Sequence, residues 1–240
     1  ELLELLGNTY FKGGFLQRSN EIFLRILKFS PRNKNALKSL LLVNEKLKNF
    51  KKSKEIAQAL EELNIDVSVE KVYFDTLIIL NDPILSYEKR TELLFEIFKE
   101  NKIIQRIFAT FLIQSNREFF FSNIDMFDCE KLIDILWYQK KEDIDFDKIK
   151  NNQFLNELYS AKNYINSVSN SSDFDLNILI LINKYQKDIK TNLTFEFICN
   201  SCKHSSPFYE ARCPNCHSIL SLEVKHHLTK AYELSNQSLQ

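Results

Sequence analysis

Three glycines and four prolines in 240 residues leave this chain few places to turn sharply. An all-β sandwich needs many tight turns, and a phosphate-cradling loop needs backbone free of Cβ, so the sequence argues against both. Helix is the default. The length fits one large domain, or a large one plus a small one. A hydrophobic share of 44% with 27% charged residues is globular in character. The 32 basic and 32 acidic residues cancel, so no global field draws the chain to nucleic acid or to an anionic membrane. No stretch approaches the roughly 18 to 20 apolar residues that span a bilayer, and no secretory signal pattern is present. The chain opens at Glu1 already inside an amphipathic pattern, which reads as a piece of a longer protein with any N-terminal anchor upstream.

The opening segment carries Leu3, Leu6-Gly7, Tyr10, Ser19, Phe23, Ile26 and Pro31. These are the offsets of a tetratricopeptide repeat, with Ile26 where alanine is usual. The physics fits the spacing. Gly7 admits a neighbouring helix, Ser19 is small where two antiparallel helices cross, Phe23 fills the groove, and Pro31 stops the second helix. A shift of 34 residues gives a degraded copy in Leu37, Leu40, Ser53, Ala57 and Leu60. From about residue 67 the signature fades and helical periodicity persists. Tyr73, Leu77 and Leu80 mark one helix before Asp82-Pro83. Leu93, Leu94, Ile97 and Phe98 mark a second, and Ile103, Ile104, Ile107, Phe108 and Phe111 a third. Further helices are expected over 129–139, 152–166 and 174–189, with Asp128 and Asp173 as N-caps and 166–173 as a loop. The charged run 140–147 reads as solvated surface or loop.

Four of the five cysteines fall within eighteen residues. Cys199 and Cys202 form one C-x-x-C, Cys213 and Cys216 a second, with ten residues between the pairs. Two such knuckles facing each other complete a four-thiolate shell at about 2.3 Å per zinc–sulfur bond. An odd total with this spacing reads as metal binding in a reducing compartment, not as a disulfide framework. A closed four-cysteine shell favours one zinc ion, with iron as the open alternative. Lys203 and Arg212 stand beside ligand cysteines and can offset the cluster's negative charge, while His204 and His217 are expected near the site and not in the shell. Phe195, Phe197, Ile219 and Leu222 flank the knuckles in stretches able to form short strands, a ribbon of the zinc-ribbon or rubredoxin type. Cys129, at a predicted helix start, reads as a small core hydrophobe, with a reactive thiol as the alternative. No Walker loop, H-E-x-x-H, G-x-S-x-G or kinase signature occurs, so the chain is not expected to be an enzyme.

The expected fold is therefore mainly α: a tetratricopeptide-like solenoid of helical hairpins over 1–190, a tetracysteine ribbon over 194–224, and a C-terminal tail over 225–240. Residues 190–193 are left as the connection. The ribbon carries more apolar side chains than it can hide, among them Phe195, Phe197, Phe208, Tyr209, Ile219 and Leu220, so part of its surface is expected to dock on the helix near 176–185.

This pairing of hairpins with a C-terminal C-x2-C-x10-C-x2-C module resembles the bacterial lipopolysaccharide assembly protein B (LapB) family. Its members combine a tetratricopeptide array with a rubredoxin-like tetracysteine module that has the same spacing and a C-P-x-C second knuckle. The resemblance covers residues 1–65 and 194–224, and residue by residue it carries over the four cysteines alone. It implies a non-enzymatic adaptor that works with the membrane protease FtsH to control turnover of the lipid A deacetylase LpxC, and so regulates lipopolysaccharide biosynthesis. It also implies a cytoplasmic location, attached to the inner membrane through an N-terminal helix that is not part of this sequence. If the repeat register holds, Glu4, Asn8, Phe11, Lys38, Leu42 and Glu45 line the groove that takes protein partners. The alternative is a nucleic-acid-binding zinc ribbon on a helical scaffold. It has Lys203, Arg212 and Lys225 in its favour, and Glu196, Glu210 and Glu223, interleaved with them, against it.

Overall fold

The computed structural model describes residues 1–185 and 191–230. The chain divides into two compact units, Glu1–Ile104 and Gln105–Gln240. It is mainly helical, with one small three-stranded sheet near the C-terminal end.

The first unit consists of α1 (Leu2–Lys12), α2 (Leu16–Phe29), α3 (Lys34–Lys46), α4 (Phe50–Glu61), α5 (Ser68–Asn81) and α6 (Tyr87–Glu100), closed by a 3-10 turn at Lys102–Ile104. Each helix packs on the next in sequence, most extensively α1 on α2 and α3 on α4. The crossing of α1 and α2 is built as the glycine spacing predicts. A Cβ on Gly7 would stand 2.8 Å from the Phe23 ring, and the buried Ser19 hydroxyl donates to the Gly7 carbonyl at 2.8 Å.

The crossing of α3 and α4 repeats it 34 residues on. Ser53 donates to the Leu41 carbonyl at 3.5 Å, and the sizes are exchanged: Leu41 stands in place of Gly7, and Ala57 in place of Phe23. Leu41 and Ala57 are buried. The turns repeat as well. Phe15 N–H donates to Tyr10 and Gly14 N–H to Phe11 in the first, and Asn49 N–H to Asn44 and Lys48 N–H to Glu45 in the second. Gly14 and Lys48 occupy the same left-handed position, with φ of 76° and 60°. This closure satisfies the last carbonyls of a helix and reverses the chain in three residues.

The second unit contains α7 (Gln105–Ser115), α8 (Arg117–Ser122), α9 (Ile133–Trp137), α10 (Phe146–Ile149), α11 (Gln153–Ala161) and α12 (Phe174–Tyr185). Strands β1 (Thr191–Cys199), β2 (Ser205–Ser206) and β3 (Leu222–Lys230) follow. Its core holds Phe108, Leu112, Phe120, Leu132, Leu136, Leu158, Tyr159 and Leu176, all buried. Side-chain caps start several of these helices: Asn116, Asn152 and Asp173 accept from Phe119, Leu155 and Leu176 N–H. Asp128 instead stands one residue before Cys129, the N-cap of a 3-10 turn, and accepts from Lys131 N–H at 3.4 Å.

Several boundaries differ from the sequence-based expectation. The helix expected over 129–139 is a 3-10 turn at Glu130–Leu132 followed by the single-turn α9, and α11 stops at Ala161, where Asn163 takes a left-handed φ of 57°. The run 140–147 contains a 3-10 turn and the start of α10. The expected helix over 174–189 is α12 as far as Tyr185, and 186–189 lie outside the described residues. The connection and tail boundaries also move. Residues 191–193 are already strand, and β3 runs to Lys230, because every residue from Thr191 to Cys199 finds an antiparallel partner between Lys230 and Leu222. Residues 190 and 231–240 lie outside the described residues.

Candidate metal centre

The sheet order is β2-β1-β3, and Cys199 is the last residue of β1. Past it the chain turns sharply: Lys203 N–H donates to the Cys199 carbonyl at 2.8 Å and Cys199 N–H to the His204 carbonyl at 2.9 Å. Fourteen residues on, the same two bonds recur. His217 N–H donates to the Cys213 carbonyl at 3.0 Å and Cys213 N–H to the Ser218 carbonyl at 2.9 Å. Lys203 and His217 take the left-handed position of each knuckle, with φ of 61° and 62°. A short bridge between Arg212 and Ile219 closes the base of the second knuckle.

The two knuckles bring together Cys199, Cys202, Cys213 and Cys216, whose sulfurs all lie within 4.8 Å of one another. Across the knuckles, Cys199 Sγ stands 3.7 Å from Cys216 Sγ and Cys202 Sγ 3.7 Å from Cys213 Sγ. Four sulfurs at tetrahedral corners about 2.3 Å from one centre stand about 3.8 Å apart, so the donor set fits a single ion of zinc's size. Cys199 and Cys213 are fully buried and Cys216 is exposed. The site can hold a metal ion through four thiolates.

Polar groups around the sulfurs set which thiols ionise. Burial pushes the Cys199 thiol up, but the Ser221 hydroxyl at 3.3 Å and the N–H groups of Cys202 and Ser201 outweigh it and bring it down to about 5. Burial, then contact with the Cys199 and Cys202 sulfurs, pushes Cys213 up to about 11 against the pull of the Cys216 and Asn215 N–H groups. The Ser218 hydroxyl and N–H lower Cys216. Asn215 donates to Cys202 Sγ at 3.5 Å.

His204 and His217 serve the knuckles through their backbone, and the gathered ligand atoms are the four sulfurs. Arg212 donates to the His217 carbonyl at 2.5 Å, bracing the second knuckle. Cys129 is buried, and its thiol is pushed up to about 12 by burial and then by Asp128, Asp125 and Glu130. That is the setting of an inert core thiol, so the reactive alternative falls away.

The cluster is backed by Phe197, Leu222, Val224 and Tyr209. Against this backing lies Arg106 of α7, a residue without a signal in the sequence. Its guanidinium is 4.2 Å from the Tyr209 ring centroid and 5.1 Å from that of Phe197, and it pairs with Asp134 of α9. Further along the hairpin, Trp137 donates from its indole to Asn192 Oδ1 at 3.0 Å, and Tyr138 meets Phe195 edge to face at 5.7 Å. His226 of β3 lies 3.1 Å from Asp173 at the head of α12. The ribbon thus rests on α7 and α9 as well as on α12. Phe208, expected among its docking residues, is 75% exposed.

The six expected groove residues lie on α1 and α3. Glu4 accepts from Asn33 Nδ2 at 3.0 Å, Asn8 from the Ser39 hydroxyl at 3.4 Å, and Glu45 from the Tyr73 hydroxyl at 3.2 Å. Phe11 and Leu42 are half-buried, and Lys38 is exposed.

Fold and site together define a helical chain with a C-terminal tetracysteine cluster. No protein-family model matches the chain, and comparison with curated proteins gives no match. No helix among the described residues is long and apolar enough to cross a membrane.

Proposed function

We propose that this chain is a non-enzymatic protein–protein adaptor: a tetratricopeptide-type helical array with a rubredoxin-like end-piece held by one zinc ion. The observation that carries the reading is the recurrence, at 34 residues, of the serine bond across the first helix crossing and of the turn bonds that close the first hairpin. That is the period at which helix–turn–helix units stack into extended docking surfaces. Glu4, Asn8, Phe11, Lys38, Leu42 and Glu45 then line the docking groove.

Cys199, Cys202, Cys213 and Cys216 hold the ion. It supplies structure: four protein ligands leave no position for a substrate, and ligation offsets the small apolar core of a ribbon this size. The chain's own groups prepare the site, Ser221 and Ser218 beside sulfurs and Asn215 donating to one.

The resemblance to the lipopolysaccharide assembly protein B family supplies the partners: a membrane protease and enzymes of lipid A synthesis, met at the cytoplasmic face of the inner membrane. Affinity capture with the full-length protein tests this. Recovery of the protease or the lipid A deacetylase, lost on charge reversal at Lys38 and Glu45, is expected. Recovery of neither overturns the assignment of partners.

A further inference from the structure

In the second unit, the ends of α9 and α11, the C-terminal half of α12 and the first residues of β1 enclose a cavity of about 390 Å³. Its walls carry three aromatic side chains, Trp137, Tyr138 and Tyr164. Its charged residues are two lysines, Lys140 and Lys162, with no aspartate or glutamate beside them. Lys162 is half-buried. Its ammonium donates to the Gln139 carbonyl at 2.6 Å and lies 4.4 Å from the Tyr164 ring centroid and 5.7 Å from that of Trp137. All three partners are neutral. Among the described residues no carboxylate stands within ion-pair distance of either lysine. The C-terminal ends of α11 and of the single-turn α9 set at most about half a unit of negative charge each against them. Those ends are also closed, since the N–H groups of Tyr138, Gln139, Lys162, Asn163 and Tyr164 already donate to the last carbonyls. The cavity is left positive, and a half-buried cation that faces only neutral groups gains from an anion brought beside it.

We propose that this cavity is a binding site for a small phosphate monoester carried on a flat ring, with the phosphate between Lys162 and Lys140 and the ring against Tyr138. Two lysines match the charge of about −1.5 to −2 that a phosphate monoester carries at neutral pH. The Tyr138 ring supplies the stacking surface. It is 69% exposed, and its edge-to-face contact with Phe195 at 5.7 Å fixes it before a ligand arrives. Lys162 is fixed as well, by the Gln139 carbonyl and the two rings, so little side-chain freedom is left to lose on binding. The volume lies at the low end of the range for ligand cavities and suits one ring with its acid group. The site stands at the end of β1 away from Cys199, and the proposal rests neither on the adaptor reading nor on a bound metal.

Trp137 is the only tryptophan in the chain, so its fluorescence reports on this cavity alone. The probe is phenyl phosphate, with inorganic phosphate and benzyl alcohol as its two halves. A saturable change in Trp137 fluorescence is expected with phenyl phosphate, and weaker binding of either half. Lys162→Gln keeps a donor for the Gln139 carbonyl and is expected to raise the half-saturating concentration about tenfold or more, the worth of one hydrogen bond to a charged group. Lys140→Gln, at an exposed position, is expected to raise it by a smaller factor and to leave the circular dichroism of the chain unchanged. No saturable response to phenyl phosphate overturns the proposal. So do half-saturating concentrations that neither variant moves. Benzyl alcohol or inorganic phosphate binding as tightly as phenyl phosphate overturns it too, because the charge or the ring then contributes nothing.

Discussion

Left-handed backbone on residues other than glycine is the feature of single residues that the structure adds most clearly. Lys48, Lys203 and His217 all sit at φ near 60°, where an L side chain crowds its own carbonyl at a cost of about 1 kcal/mol or more. Lys48 stands where the first hairpin has Gly14, so Lys48→Gly is expected to stabilise the first unit by about 0.5–1 kcal/mol, read as a higher urea midpoint. Gly7→Ala should do the opposite, by about 1–3 kcal/mol, because the new Cβ meets the Phe23 ring within a packed crossing. The Gly7–Ser19–Phe23 arrangement was legible in the sequence because glycine is scarce here and sits at a fixed offset from an aromatic. The turns at Lys48, Lys203 and His217 were not, since nothing in lysine or histidine announces a left-handed residue. Among the thiols, Cys213 is held at about 11 and carries its proton at neutral pH. Metal entry must displace that proton, so apparent zinc affinity is expected to fall at least about tenfold for each pH unit lost below 8. Competition titrations with a chelator at two pH values check this, and a pH-independent affinity contradicts it.

Where elements meet, Arg106 decides how the ribbon is held. It bonds Asp134 on α9 and the Lys131 carbonyl, and covers the rings that back the cysteine cluster. Both charged side chains are about nine-tenths buried, at 12% and 11% exposure. Removing one partner leaves the other charge buried alone, at about 3–5 kcal/mol. Arg106→Leu is therefore expected to destabilise the second unit strongly. Arg106→Leu with Asp134→Leu should recover much of the loss, and denaturation curves of the two variants separate this from simple loss of packing. The sequence pointed to α12 as the docking element, and β1 and β3 do touch it. It missed α7 and α9 for physical reasons. α9 is five residues long, too short for periodicity to register. An arginine on an amphipathic helix reads as surface until the tertiary fold buries it. α8 and α10, six and four residues, escaped in the same way.

For the whole molecule, mainly helical architecture and the four-cysteine site were both readable from residue types and spacing alone. The extent of the ribbon was not. Strand pairing continues to Thr191 and Lys230, well beyond the cysteines, because those residues find partners across the hairpin and support from the second unit's helices, neither of which local sequence encodes. One consequence is that the metal site is part of that unit's structure and not a tethered finger: with Cys199→Ser and Cys202→Ser, amide exchange should rise in α9 and α12 together with the ribbon, through the Trp137–Asn192 and Asp173–His226 contacts. Whether these four cysteines hold one metal ion is read by native mass spectrometry of the purified chain. The mass of a single zinc ion is expected on the intact chain, and its loss in the Cys199→Ser, Cys202→Ser variant. A folded chain that carries no metal, or a variant that retains it, rules out the four-thiolate site.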